Sequence, residues 1–224
     1  MNKIIISLGG SIISTDADTT AIIRDYATWL KQLAQTNVVA VIVGGGYRAR
    51  IAIEGAKKNN SNLTNDQLDE IGIAATRVNA ELLRSACQVE HPIITDPNII
   101  LPTTPCLIFG AGWKPGRSTD YDAVLLAVTN QVTTVYNVSN ITKIYTADPK
   151  TDPAAKPLDD VTWEQLQQIV GDTWTPGLNM PFDPIAAKLA TEHALTVKVV
   201  NGLDMANLAN CIAGQAFTGT VIHP

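Results

Sequence analysis

Apolar residues along this chain fall into two alternating kinds of stretch. Short unbroken runs, IIIS at 4–7 and VVAVIV at Val38–Val43, read as strands buried on both faces. Between them, Ile22, Ile23, Tyr26, Leu30 and Leu33 recur at helical spacing, with Thr19 or Thr20 as the cap. A helix is expected at about 47–58, and a longer one, marked by Leu68, Ile71, Ala75, Val78, Leu82 and Leu83, ends near Cys87. Short strands at 92–95 and 106–109 precede a helix through 123–128. The second half changes character near Thr133. It offers a strand at 133–138, a polar, turn-rich stretch at 139–150, a helix around Trp163–Val170 and a proline-rich loop at 174–184. A helix at 184–193, a strand at 196–200, a helix at 205–213 and a strand at 219–222 complete the pattern. Strands and helices that alternate in this way predict an α/β fold, a mainly parallel sheet with helices on both faces. Neither an internal repeat nor a low-complexity linker divides the halves, so one continuous sheet is expected to run through both.

Composition narrows the class of ligand. With 224 residues the chain can bury a sizeable core, as one large domain or two closely joined lobes. A formal charge of −5 leaves no basic footprint, so nucleic acid is not expected as a partner. Arg48, Arg50, Lys114, Arg117 and Lys188 nevertheless gather around glycine- and proline-rich loops, which suits a small anion. Cys87, Cys106 and Cys211 lack the spacing of a disulfide frame or zinc site, and His91, His193 and His223 are equally scattered. No signal segment or long apolar span is evident, so a cytoplasmic protein with no membrane partner is expected.

The candidate chemistry sits in three loops: GGS at 9–11, GGG at 44–46 and PGRSTD at 115–120. A glycine turn between strand and helix lets backbone N–H groups approach an anion at the positive end of a helix dipole. Two such turns and a third loop suggest a site for two phosphorylated ligands held face to face. The P-loop pattern GxxxxGK[ST] and the GxSxG elbow are both absent. Gly44, Gly46 and Ala49 satisfy the relaxed dinucleotide pattern GxGxxA, but that pattern needs an acid about 20 positions on, at a strand end. The acids at that distance, Asp66 and Asp69, fall in a helical pattern instead.

With these loops in view, the chain resembles the amino-acid kinase family, and within it the uridylate (UMP) kinases of the short archaeal type. The resemblance runs nearly end to end. It rests on SLGGSI at 7–12, VGGGYRAR at 43–50, DEIGIAATRVNAELL at 69–83, PGRSTDYDA at 115–123, SNITKIYTADPKTDP at 139–153 and DPIAAKLA at 183–190. It implies a three-layer αβα sandwich on a largely parallel sheet of about eight strands. It further implies an acceptor lobe at 1–132, an ATP lobe at 133–224, ATP and UMP as ligands, Mg²⁺ as cofactor, a hexameric homo-oligomer, and no separate regulatory domain.

Residue roles follow from the same resemblance. Ser7, Gly9, Gly10 and Ser11 match the turn that holds the donor phosphates. Gly45, Gly46 and Arg50 match the turn between the two nucleotides, with Arg50 bridging the transferring oxygens. Asp69 matches the residue that binds the acceptor ribose. Gly112, Pro115, Gly116, Arg117, Ser118 and Thr119 match the acceptor loop, with Ser118 and Thr119 offering hydroxyl and N–H groups to the α-phosphate. Asp120 matches a catalytic acid that orients lysines, although it also reads as an ordinary helix cap. Ser139, Asn140, Tyr145 and Asp148 match the segment around the ATP base and ribose, and Lys188 matches the lysine that reaches the γ-phosphate. Several positions depart from the pattern. Ser7 stands where many members carry lysine, Thr142-Lys143 stands where Asp-Gly is usual, and Trp113 and Lys114 are unusual in the acceptor loop. For Trp113 and Trp174 only packing or loop closure can be argued. Two other readings stay open: a sister kinase of the same fold with another acceptor, and a non-catalytic anion-binding protein.

Overall fold

The computed structural model describes residues 2–171 and 180–224. In chain order its elements are β1 (Lys3–Leu8), α1 (Gly10–Ile13), α2 (Thr20–Leu33), β2 (Val38–Val43), α3 (Gly46–Asn59), α4 (Asn65–Cys87), β3 (Cys106–Gly110), α5 (Thr119–Thr129) and β4 (Thr134–Ser139). There follow β5 (Ile144–Tyr145), β6 (Pro157–Leu158), β7 (Asp160–Thr162), α6 (Trp163–Val170), α7 (Pro184–Glu192), β8 (Thr196–Asn201), α8 (Met205–Ile212) and β9 (Gly219–His223).

Seven strands form one sheet in the order β3-β2-β1-β4-β8-β9-β7. Every pairing in it is parallel except β8 with β9. The unbroken apolar runs behave as expected of strands covered on both faces: β2 is buried at every position. Alternate residues feed opposite cores. Ile5, Ala40 and Ile42 pack with Val124, Leu126, Leu166 and Phe182 on the side of α5, α6 and α7. Ile4, Ile6, Val39 and Val41 pack with Tyr26, Leu30, Leu83 and Leu208 on the side of α2, α4 and α8. The result is the expected αβα sandwich, and pairing of β1 with β4 joins the two halves through one sheet.

The strand count is seven in the main sheet, not about eight, and a separate antiparallel pair, β5 with β6, rises from the polar stretch after β4. The strand expected at 92–95 is a single bridge, Ile94 to Gly110. Pro92 and Pro97 flank it and have no N–H to extend a ladder. Capping defines several helix starts. Thr64 with Gln67 and Thr162 with Gln165 form reciprocal capping boxes on α4 and α6. Asp183 caps α7 ahead of Pro184. At α2 the residue at the cap position is Thr19, but the carboxylate of Asp18 accepts the Thr20 N–H at 2.9 Å. Most of the loop expected at 174–184, including Trp174, lies outside the described residues.

Candidate active site

Parallel pairing of β1, β2 and β4 brings their C-terminal ends to one edge of the sheet, where open α/β folds bind ligands. The first two glycine turns meet there backbone to backbone. A Cβ on Gly10 would lie 2.0 Å from the Gly46 nitrogen, and one on Gly46, at φ +58°, would lie 2.2 Å from the Gly10 carbonyl oxygen. Only glycine fits at either position. The Gly9 N–H donates to the Val138 carbonyl at 2.7 Å, and the Gly44 N–H donates to the Leu8 carbonyl at 2.8 Å. A Cβ on Gly9 would lie 3.4 Å from Cβ of Ser139, so the end of β4 closes against the same turn. Ser14 takes the Tyr47 N–H on its carbonyl at 2.7 Å and the Arg48 N–H on its hydroxyl at 3.1 Å. Among the described residues, the N–H groups of Gly10, Ser11, Gly45 and Gly46 carry no hydrogen bond. Four donors without partners on two touching turns make a cradle for oxyanions.

One helix holds both this cradle and the third loop. On α4, buried Asn79 donates to the carbonyls of Gly44 at 2.8 Å and Gly45 at 2.9 Å, and accepts from Nε of Arg48 at 3.0 Å. One turn earlier, Thr76 accepts the Gly112 N–H at 2.8 Å. Two turns before that, Asp69 accepts the Gly116 N–H at 2.7 Å. Thr76 and Asn79 lie within the matching string DEIGIAATRVNAELL but had no role assigned from sequence. Their signal was available: both are polar on the row of α4 that carries Ile73, Ala80 and Leu83 into the core.

Asp120, at the start of α5, is the centre of a polar network. Its Oδ1 accepts from the Ser7 hydroxyl and from Nδ2 of Asn137, each at 2.7 Å. Burial pushes its carboxyl up to about 6, and the Asp183 charge adds to the shift; the Ser7 hydroxyl, the Asp183 N–H and the Asn137 amide oppose it. Asp122, fully buried, accepts the Trp113 N–H at 3.1 Å, and its other oxygen has no partner among the described residues. Burial raises it to about 7, helped by Asp183 and Asp120. Asp183 is raised too, first by burial, while the Ser118 hydroxyl, the N–H groups of Ile185 and Ala186 and the Arg117 charge hold it back. Arg117 lies 4.7 Å over the Tyr121 ring and donates to the Gly116 carbonyl at 2.8 Å. The N–H groups of Arg117, Ser118, Thr119 and Asp120, at the positive end of α5, make no hydrogen bond among the described residues.

The remaining sequence-derived residues are placed as follows. Pro115 lies in the third loop between Lys114, which covers the Trp113 ring at 3.7 Å, and Gly116 at φ +75°. The Ser118 hydroxyl donates to Asp183 and accepts the Tyr121 N–H at 3.1 Å, and its carbonyl accepts the Asp122 N–H at 3.1 Å, so of its polar groups only the N–H has no partner among the described residues. Arg50 is exposed on α3 and Lys188 is exposed on α7, beside Trp163, Gln167 and Val170 of α6; neither has a hydrogen bond or ion pair among the described residues. Asn140 is exposed just beyond β4, and Tyr145 lies on β5. Asp148 closes a local turn by accepting the Lys150 N–H at 2.9 Å. Lys143, at one of the departing positions, pairs with Asp159 and ties β5 to the segment between β6 and β7.

Free N–H donors on three loops, converging with a buried carboxylate network at the strand ends, define a phosphoryl-transfer type of site on an αβα sandwich. The chain belongs to the amino acid kinase family, whose sequence profile matches residues 2–113 and 92–201. A uridylate kinase from Archaeoglobus fulgidus is 35% identical across 98% of this chain and 99% of that protein. One from Methanothrix thermoacetophila is 33% identical across 94% of this chain and 95% of that protein. The crystal structure of the Archaeoglobus enzyme superposes with a TM-score of 0.81 at 33% identity, covering 99% of this chain and 100% of that one. A UMP kinase from Ureaplasma parvum shares the fold at a TM-score of 0.76 and 17% identity.

Proposed function

We propose that this protein is a UMP kinase, moving the γ-phosphoryl group of ATP to UMP to give ADP and UDP. The observation that carries the reading is the set of free N–H groups on residues 10, 11, 45 and 46, opposed by those at 117–120 across the Asp120 network. Near end-to-end similarity to archaeal uridylate kinases supports it. The phosphate of a nucleoside monophosphate already carries its nucleophilic oxygen as an anion, so little proton abstraction is needed. The protein's task is to place two repelling phosphates in line and to neutralise charge on the transferred group.

In this reading residues 1–132 hold UMP and residues 133–224 hold ATP. At their junction the GGS turn cradles the donor β- and γ-phosphates, and the GGG turn touching it lies between the two nucleotides. Residues 117–120, at the positive end of α5, bind the acceptor α-phosphate. Asp69 is already bound to the Gly116 N–H through one oxygen, and its second oxygen serves the acceptor ribose. The exposed side chains of Arg50 and Lys188, without partners among the described residues, are the cations for the transferring group. Ser139, Asn140, Tyr145 and Asp148 flank the ATP nucleoside.

Among the described residues, no group of three or more His, Cys, Asp or Glu is arranged to hold a metal ion. A dedicated protein cage therefore does not fit, and Mg²⁺ is proposed to arrive with ATP, held by phosphate oxygens and water, where it supplies charge neutralisation. No described helix is long and apolar enough to cross a membrane, and a cytoplasmic location completes the proposal. The protein is also proposed to act as a homo-oligomer. In the single chain α3 buries none of its residues, and Tyr47 and Ile51 are exposed beside Val78 and Leu82 of α4.

The test is ADP release with ATP and Mg²⁺, offering UMP, CMP, acetylglutamate or isopentenyl phosphate in turn. Turnover greatest with UMP is expected. Turnover confined to acetylglutamate or isopentenyl phosphate makes the protein a sister kinase, and nucleotide binding without any turnover makes it a binding protein.

A further inference from the structure

Asp183 occupies a position that capping alone does not explain. It is 3% exposed, and one of its oxygens accepts the Ile185 N–H at 2.8 Å to cap α7. The other accepts the hydroxyl of Ser118, a residue 65 positions earlier whose oxygen in turn caps α5 through the Tyr121 N–H at 3.1 Å. The backbone N–H of Asp183 also favours the ionised form of Asp120. One carboxylate thus joins the N-terminal ends of α5 and α7, across the division between acceptor and donor halves.

Its electrostatic surroundings are unfavourable. Asp120 and Asp122 on α5 both feel the Asp183 charge as repulsion, and Arg117 is the cation that offsets it. A neutral Asn or Ser caps a helix about as well as Asp does, and a buried carboxylate beside others is costly unless its hydrogen bonds need the charge. What an ionised carboxylate adds here is an acceptor strong enough to hold the Ser118 hydroxyl. Ser118 sits within the run of residues 117–120 whose N–H groups are uncommitted.

We propose that Asp183 is a positioning residue for phosphoryl transfer, a clasp that anchors the N-terminal turn of α5 to α7 and so sets where the acceptor phosphate lies relative to the donor turns. The proposal rests on the reading of 112–120 as the acceptor loop. It also assigns acceptor-phosphate binding at Ser118 to the backbone N–H, because the hydroxyl is committed to Asp183.

The experiment compares the full chain with Asp183→Ser, Ser118→Ala, the double variant and Ser118→Thr, by steady-state kinetics with UMP and ATP and by amide hydrogen exchange. Serine at 183 still caps α7 but is too short and too weak an acceptor for the clasp. Asp183→Ser is expected to raise the KM for UMP about 10- to 100-fold, the range for a hydrogen bond to a charged group, and to lower kcat, while the KM for ATP stays within about twofold. The double variant should be no worse than Ser118→Ala, since both changes remove one contact. Ser118→Thr keeps the hydroxyl and should hold exchange in 117–121 at the wild-type rate, whereas Ser118→Ala should speed it up. Exchange in 117–121 should speed up in Asp183→Ser, with α7 still protected. Independent, additive losses in the double variant, or unchanged exchange at 117–121, overturn the clasp. If the wild-type chain does not turn over UMP, the acceptor reading fails on its own, and the exchange data still decide whether Asp183 orders the turn.

Discussion

Ser7 is almost fully buried, and its hydroxyl donates to the carboxylate of Asp120. At a position where many family members carry lysine, this chain therefore keeps a donor to the same acid but not the cation. Removing the hydroxyl should let Asp120 rise further above about 6. In Ser7→Ala the acid limb of the pH–kcat/KM profile is expected to move to higher pH; an unmoved limb would mean that Asp120 does not govern it. The raised carboxyls also set how stability depends on pH. Asp122, at about 7, binds its proton more tightly in the folded than in the unfolded chain. Its contribution to stability is full below the ordinary aspartate range and is lost as pH rises through about 7. Asp120 and Asp183 shift in the same direction. The melting temperature should therefore be higher at about pH 6 than at about pH 8, and Asp122→Asn should flatten that dependence. A wild-type Tm that climbs between those two pH values contradicts the burial assigned to these groups. Lys188 is the residue whose role depends most on chemistry and least on packing, because it is exposed and has no hydrogen-bond or ion-pair partner among the described residues. Lys188→Met should reduce kcat by about 10²–10³ with little change in either KM, as for loss of one preorganised electrostatic partner. Wild-type kcat in that variant would remove Lys188 from the site.

At the scale of elements, α4 does more than cover the sheet. Its buried row carries Thr76 and Asn79 among Ile73, Ala80 and Leu83, and those two polar groups are matched by backbone atoms of two different loops. Asn79→Ala leaves the Gly44 and Gly45 carbonyls without this donor and Arg48 without its acceptor. A loss of about 1–3 kcal/mol is expected for the unpaired groups, read by urea denaturation. Because the GGG turn is proposed to lie between the nucleotides, KM should rise for both ATP and UMP. A rise for one alone would place the turn in one lobe only. The contrast with α3 is sharp. That helix has the glycine turn at its N-terminus and no fully buried residue, only half-buried ones such as Ala49, Ile53 and Ala56. Its packing partner within the chain is α4, and together they expose Tyr47, Ile51, Val78 and Leu82.

For the whole molecule, one sheet unites the two halves proposed to hold different ligands. Strand β1, first in sequence, lies between β2 and β4 and so pairs with a strand of each half. Relative movement of the halves is therefore limited within the sheet, and adjustment between the nucleotides falls to loops and helix ends. The exposed apolar face of α3 and α4 belongs to the same scale. Leu82→Glu should lower the molecular mass observed by sedimentation while leaving the far-ultraviolet circular dichroism unchanged; an unchanged mass would place the contact between subunits elsewhere.

Much of the architecture could be read from the chain because local pattern and tertiary environment agree. A six-residue apolar run such as Val38–Val43 satisfies only a strand covered on both faces, and it is that strand. The helices α4, α6 and α7 follow apolar periodicity with cap residues at their starts. Short edge pieces such as β6 and β7 escaped, since two or three residues carry no period and pair only because β5 and β9 lie beside them. The glycine turns were legible as turns, but their reason was not. Gly10 and Gly46 need to be glycine because each turn occupies the space a Cβ of the other would fill, which no reading of either turn alone can show. The site divides the same way. Asp120 and the loop at 115–120 stand out in the sequence as motif residues, and their role remains the one proposed above. The ties from Asn79, Thr76 and Asp183 join segments separated by about 30 to 65 residues, and only the folded sheet brings them within hydrogen-bond reach.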